Sequence, residues 1–233
     1  MSRPLAAVVF DLDDTLYPEA DFVQGGLIAA ARELGVPEAE GVFLDILRNE
    51  GPLHVFDSGL RQLGIPRTPA QIASLVGAFR SHRPSLRPFA GTRQMLARLR
   101  QSGLKLALLT DGYLEVQQRK IESLGIANMF DQVLFTSDVE GRPMPKPDPG
   151  PFLLLQARFG VECETVVMVG DRPDKDFPAP DLLGWRTLRT RHPGAFHRDD
   201  HDPRNDRPDA CSVRSMERLL AVWIAAPGLP KKN

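Results

Sequence analysis

The chain predicts an α/β fold on a mostly parallel sheet with a small all-helical insertion, and three features of the sequence carry that prediction. Three short apolar runs each end on an aspartate: Ala6 to Phe10 before Asp11, Leu106 to Thr110 before Asp111, and Val166 to Gly170 before Asp171. Between them, apolar residues recur three and four apart, the spacing of amphipathic helices. Glycines and prolines punctuate the alternation, as in βαβ units. An unbroken apolar run suits a strand buried on both faces, as parallel sheets require. Ligands bind such sheets in the crevice at the carboxyl ends of the strands, so the three acids are expected to share one site.

The elements follow in order. After Asp11, the polar run Leu12-Asp13-Asp14-Thr15-Leu16 leaves the first strand in a turn. From about Ala20 the period becomes helical, with Phe22, Val23, Leu27, Ile28 and Ala31 on one side. Val42 to Leu47, Val55 to Leu63 and Ile72 to Phe79 continue it, separated by Gly51-Pro52, Gly64-Ile65-Pro66 and the Pro84 to Pro88 region. Residues 17–88 thus read as the helical insertion, and 1–16 with 89–233 as the core. The core resumes with a helix from Thr92 through Leu99, the strand to Thr110, a helix around Val116 to Leu124 and a short strand near Val133 to Phe135. A helix from about Pro151, whose fixed φ suits a first helical position, precedes the strand Val166 to Val169. Pro180 to Leu183 begins a further helix, and Trp185 to Leu188 closes the sheet. Residues 189–209, crowded with Arg, His, Asp and Pro, read as a long exposed loop before a closing helix, Ser215 to Ile224.

At 233 residues and 42% hydrophobic, the chain supports one sizeable core and a smaller appendage. The 29 basic and 30 acidic side chains create no long-range field, so the expected partner is a small molecule, not a nucleic acid polymer or a membrane surface. Cys163 and Cys211 form neither a metal-ligand pattern nor a disulfide framework. No apolar stretch reaches membrane-spanning length, and the first residues lack the pattern of a signal peptide. A reducing, cytoplasmic setting is the expectation.

Asp11 and Asp13, two apart at a strand end, point to the same side of an extended segment. One aspartate can attack phosphorus while a second protonates the leaving oxygen and then deprotonates water. Taken alone, Asp-Leu-Asp-Asp reads equally well as a polar turn or helix cap. Lys146 and Asp13 are expected to join the three strand-end acids. Carboxylates crowded in a dry pocket resist ionising, which favours a hard, oxygen-loving cation such as Mg²⁺ among them.

Four segments occur together in order: Asp-Leu-Asp-Asp-Thr-Leu at 11–16, Leu-Leu-Thr-Asp-Gly at 108–112, Pro-Lys-Pro-Asp at 145–148 and Gly-Asp-Arg-Pro-Asp-Lys-Asp at 170–176. This set resembles the motifs of the haloacid dehalogenase superfamily, and the likeness runs from about residue 5 to 222. The resemblance implies a Rossmann-like core and a helical cap over residues 17–88. It implies Asp11 as a nucleophile that forms an aspartyl-phosphate and Asp13 as general acid and base. It implies Mg²⁺ held by Asp11, the backbone carbonyl of Asp13, and Asp171, with Asp176 as the second acid of the fourth motif and Asp174 the weaker substitute. Thr110 through its hydroxyl, Asp111 and Gly112 through their N–H groups, and Lys146 through its charge are implied to hold the phosphoryl oxygens. Two departures stand out: Glu140 to Met144 lengthens the approach to Lys146, and Pro173, Pro178 and Pro180 shorten the helix expected there.

True dehalogenases of this superfamily use the same nucleophile without metal and lack the second aspartate of the first motif, so Asp13, Asp171 and Asp176 favour phosphomonoester hydrolysis. A phosphomutase fits the same motifs, and a relative that only binds a phosphorylated ligand or a protein is the alternative from another class. The expected substrate is a small phosphorylated metabolite such as a sugar phosphate, phosphoglycolate or nucleoside monophosphate. Within the insertion, Arg80, His82 and Arg83 are candidates for reading the substrate beyond its phosphate, against the plainer reading of a solvated hinge. His192, His197 and His201 with Asp199, Asp200 and Asp202 match no ligand spacing, and Tyr17, Trp185 and Trp223 read as packing.

Overall fold

A computed structural model describes residues 3–204 and 206–225. The apolar runs form a six-stranded, all-parallel sheet: β1 (Ala7–Phe10), β2 (Lys105–Thr110), β3 (Gln132–Phe135), β4 (Val166–Gly170), β5 (Arg186–Thr190) and β6 (Asp209–Ala210), in the order β3-β2-β1-β4-β5-β6. The chain winds outward from β1 to β2 and β3, then returns to the other flank of β1 for β4. β1 therefore borders the switch point of the sheet, where an open α/β fold forms its crevice. Phe10 lies level with Leu108 of β2 and Val169 of β4, and the Asp11 N–H donates to the Val169 carbonyl at 2.9 Å. That register brings Asp11, Thr110 and Asp171 to one edge.

β1 and β4 are buried at every position, as the unbroken apolar runs require. On one face Val9, Ala107, Leu109 and Met168 pack with Phe152 and Leu155 of α7 (Gly150–Phe159) and with Ala179 of α8 (Pro178–Leu183). Each such large side chain, fully buried, contributes about 1.5–3 kcal/mol. Trp185 sits in this core, 4% exposed, edge-on to Phe152, with its Nε1–H donating to Gln156 at 2.8 Å. α5 (Thr92–Gln101), α6 (Leu114–Leu124) and α9 (Val213–Ile224) complete the core elements. α8 has only six residues, with Pro178 and Pro180 in its first turn.

The chain divides into two compact units, residues 1–18 with 87–233, and 19–86, whose bounds fall two residues inside those read from the sequence at each end. The smaller unit is all helical: α1 (Glu19–Leu34), α2 (Ala39–Glu50), α3 (Val55–Gln62) and α4 (Pro69–Ser81). Its core is aromatic, with Phe43 on Phe56, Phe56 on Phe79 and Phe79 on Phe22 in edge-to-face contacts. α4 starts at Thr68, whose hydroxyl caps the Gln71 N–H at 3.2 Å, followed by Pro69 in the first turn.

Two expectations for the stretch after β4 are corrected. The sheet does not finish at Leu188: β5 runs to Thr190, and Asp209–Ala210 adds a sixth strand parallel to it. Two residues carry no periodicity, so β6 leaves no pattern to read. Nor is 189–209 simply an exposed loop, because Arg189, Thr190, His192, Asp202 and Arg207 are buried. Arg207 donates to Asp202 and Asp181 at 2.8 and 2.9 Å and lies 4.0 Å over the Phe177 ring. Ion pairing lets so polar a stretch fold inward, which composition alone does not reveal.

Candidate active site

At the carboxyl edge of the sheet, Asp11 leaves β1 and Asp171 leaves β4, both buried. Asp176 reaches the same point from the turn that follows. Gly170 permits this approach, since a Cβ there would lie 2.5 Å from the Asp176 carboxyl carbon. The Arg172 N–H donates to Asp176 Oδ2 at 2.9 Å and fixes the turn. Carboxylate oxygens of Asp11, Asp171 and Asp176 lie within 4.8 Å of one another, the one such cluster of potential metal ligands among the described residues. Asp174 instead faces out and pairs with Arg172 at 2.7 Å. The histidines of the 192–201 stretch form no ligand cluster of this kind among the described residues.

Lys146 enters from the loop after β3, and the long Glu140 to Met144 approach does not displace it. Its Nζ donates to Asp11 Oδ1 at 2.5 Å and Asp176 Oδ1 at 2.7 Å, and it is 5% exposed. Burial opposes the ammonium charge, but Asp11, Asp176 and Asp111 together raise its pKa and keep it protonated. Three buried carboxylates thus face one ammonium. Burial, with the charges of Asp176 and Asp13, pushes Asp11 up to about 7 against the pull of Lys146. Burial likewise lifts Asp171 well above the usual carboxylate range, reinforced by Asp176 and Asp11. An oxygen-only donor set with negative charge in excess fits a hard divalent cation such as Mg²⁺.

Asp13, two residues past the nucleophile candidate, is held apart from that cluster. Lys120 of α6 donates to its Oδ1 and Oδ2 at 2.8 and 2.9 Å, Gln117 to Oδ2 at 3.2 Å, and the Tyr17 hydroxyl to Oδ1. Burial would raise its pKa, yet Lys120 above all, with Tyr17 and Gln117, holds it below the usual value. Thr110, at the end of β2, is buried, and its Oγ1 accepts from Gln117 Nε2. Gly112 has φ +125°, open to glycine, and turns the chain from β2 toward α6. The Asp111 carboxylate joins three motifs, accepting from the Thr136 hydroxyl at 2.6 Å, the Lys146 N–H at 3.1 Å and Lys175 Nζ at 3.2 Å. Burial opposes its charge, but Lys146 and Thr136 keep its pKa low.

The arrangement offers a strand-end carboxylate for attack, a second carboxylate for proton transfer, and an ammonium, a hydroxyl and turn N–H groups for an oxyanion. Arg80, His82 and Arg83 belong to the helical unit. There Arg80 and Arg83 are exposed, while the His82 ring lies 4.7 Å from Phe22 and its Nδ1 is 2.6 Å from the Phe79 carbonyl oxygen. Sequence reasoning passed over Gln117, Lys120 and Thr136, and took Tyr17 for packing alone. For α6 a signal existed: Gln117 and Lys120 fill positions on the stripe continued by Ile121 and Leu124, where an amphipathic helix places apolar residues. Thr136 leaves none.

Comparison with known proteins identifies the family. Residues 5–181 match the family described as haloacid dehalogenase-like hydrolase. A glyceraldehyde 3-phosphate phosphatase from Methanopyrus kandleri is 32% identical over 232 residues, 94% of this chain and 97% of that protein. A phosphoserine phosphatase from Thermus thermophilus is 35% identical over 171 residues, 73% of this chain and 63% of that protein. Among solved structures, the HAD-hydrolase YfnB from Bacillus subtilis, bound to magnesium, superposes with a TM-score of 0.68 at 16% identity, covering 94% of this chain and 99% of its own.

Proposed function

The chain belongs to the haloacid dehalogenase-like hydrolases, and from that premise we propose that it hydrolyses the phosphomonoester of a small metabolite through a phosphoryl-aspartate on Asp11. One observation carries the reading: Asp11, Asp171, Asp176 and Lys146 converge at the carboxyl ends of β1 and β4, with the Asp13 carboxylate separately hydrogen-bonded two residues on. Asp11 attacks phosphorus and the ester bond breaks, while Asp13, ionised at rest, relays the proton of the phosphomonoester monoanion to the leaving oxygen. Asp13 then takes a proton from water as that water attacks the phosphoryl-aspartate, freeing phosphate and Asp11. Lys146, the Thr110 hydroxyl and the N–H groups of Asp111 and Gly112 meet the equatorial oxygens where charge develops.

Asp11, Asp171 and Asp176, with the backbone carbonyl of Asp13, would hold Mg²⁺, which supplies charge neutralisation for the incoming phosphate and the crowded carboxylates. Dehalogenation and phosphoryl transfer between sugars draw less support. The first has no use for this acid cluster, and nothing among the described residues marks the water exclusion that the second needs. Relatives named for glyceraldehyde 3-phosphate and phosphoserine point to a similarly small phosphorylated compound. The helical unit leaves the chain after Asp13 and returns before β2, which suits a cap that reads the substrate beyond its phosphate, with Arg80, His82 and Arg83 as candidates. Cys163 and Cys211 are free thiols, in keeping with a cytoplasmic setting. No helix among the described residues is long and apolar enough to cross a membrane.

The test is phosphate release from para-nitrophenyl phosphate with Mg²⁺. Asp11→Asn is expected to lose at least about 1,000-fold in kcat, since no nucleophile remains. Equal rates in the two proteins, or full turnover in excess chelator, would end the proposal.

A further inference from the structure

We propose that Gln117 and Lys120, on the buried face of α6, are positioning residues: Lys120 fixes the plane of the Asp13 carboxylate and Gln117 ties it to the Thr110 hydroxyl. This rests on the phosphatase reading above and extends it to two residues outside the four motifs. An ionised carboxylate offers about four lone-pair sites, and Asp13 has four donor contacts: two from Lys120, one from Tyr17 and one from Gln117. Rotating the carboxylate plane breaks at least one of them. Lys120 contributes most, because its single ammonium spans both oxygens at 2.8 and 2.9 Å.

Gln117 extends the hold. An ionised carboxylate only accepts, so the amide nitrogen of Gln117, not its oxygen, faces Asp13. The second N–H of the same group goes to Thr110 Oγ1, which makes that oxygen an acceptor. The Thr110 hydroxyl proton is then left for another acceptor, which in the proposed reaction is a phosphoryl oxygen. Two polar side chains buried to 2% and 4% exposure are costly without partners, and here both donate to site residues. α6 begins just after Gly112, so one rigid element carries both contacts.

The experiment uses the full chain with Mg²⁺ and a series of aryl phosphates from phenyl to para-nitrophenyl, followed in single turnover. Phenolate needs a proton relayed by Asp13 to leave, whereas para-nitrophenolate does not. Lys120→Met is expected to slow transfer from phenyl phosphate about 100-fold but from para-nitrophenyl phosphate less than about 5-fold. Lys120→Arg, which can also span both oxygens, is expected to recover most of the phenyl phosphate rate. Gln117→Leu is expected to cost about 10-fold on para-nitrophenyl phosphate, where Asp13 is not needed for the leaving group, and there to add nothing when combined with Thr110→Val, because both remove the same oriented hydroxyl. A Lys120→Met loss of equal size on both substrates would refute the proposal, as would independent, additive losses for Gln117→Leu and Thr110→Val. Should Lys120→Met fail to fold, the Gln117 and Thr110 cycle still decides. Failure of the phosphatase reading is separate: it appears in the unsubstituted protein, as turnover that does not depend on Asp11.

Discussion

Two clusters of aspartates with basic partners lie in the core unit, and their buried acids are matched by cations to different degrees. Around Asp202, the carboxylates of Asp202 and Asp181 are held at 2.8 to 2.9 Å by the buried guanidinium of Arg207 and by the half-exposed Arg204, which also pairs with the exposed Asp206 at 3.3 Å. At the sheet edge, three carboxylates, Asp11, Asp171 and Asp176, face the single ammonium of Lys146. The outcome for the same residue type differs in sign. Burial would raise both acids, but the hydrogen bonds and charge of Arg207 hold Asp202 below the usual range, while Asp171 is lifted well above it. An acid such as Asp202, paired with its own buried guanidinium, is complete and serves the fold. An unbalanced cluster keeps a standing demand for positive charge, which makes it a site.

The comparison breaks first at Arg207. Replacing it by Met leaves Asp202 buried without a cation, and a loss of about 3 kcal/mol is expected in denaturant unfolding. Added Mg²⁺ is expected to restore none of it. If Asp202→Asn on that background fails to recover stability, charge balance is not what the cluster supplies.

Mg²⁺ sharpens the other half. At 100 times its dissociation constant, a cation that binds only the folded chain raises stability by about 2.7 kcal/mol. Thermal unfolding with and without Mg²⁺ measures this, and Asp171→Asn is expected to abolish the difference. Equal protection in the variant would place the ion elsewhere.

His192 is the smallest case, a buried group kept neutral. Its ring stacks on Phe89 at 3.9 Å, its Nε2 has no hydrogen-bond partner, and burial drops its pKa from 6.5 to about 4. Between pH 6.5 and 4 the unfolded chain takes a proton that the folded chain refuses. Stability from this group is therefore full above pH 6.5 and lost as pH falls toward 4. The expected cost, discounted for partial solvent access, is about 2 kcal/mol. Because other groups also titrate in this window, the measurement is the difference between the unsubstituted chain and His192→Phe, which keeps the stack. Parallel pH profiles for the two would remove His192 from the account.

The strand-end acids were legible because a parallel strand buried on both faces writes itself as an apolar run, and its last residue must face the crevice. Asp11, Asp111 and Asp171 needed no more than that, and the spacing to Asp13 came with them, whereas the role of Thr110 followed only from the resemblance. Lys146 was legible only through the order of the four motifs, since a lysine between prolines carries no local sign of burial. The choice between Asp174 and Asp176 was not legible. Both are acids in one short turn, and which points inward depends on Gly170 leaving room for Asp176 and on Arg172 drawing Asp174 outward. β6 escaped for the same kind of reason, as two residues have no period.

By itself the sequence determined the parallel sheet, the helical insertion and the edge at which the acids gather, because apolar periodicity and strand direction are local properties written along the chain. Tertiary structure alone decided which polar side chains are buried and who partners them: Gln117 and Lys120 at Asp13, Arg207 at Asp202, His192 against Phe89. The reason is that burying a charge or an amide costs free energy only other residues can offset. Those residues lie far away in the chain and come close only when it folds.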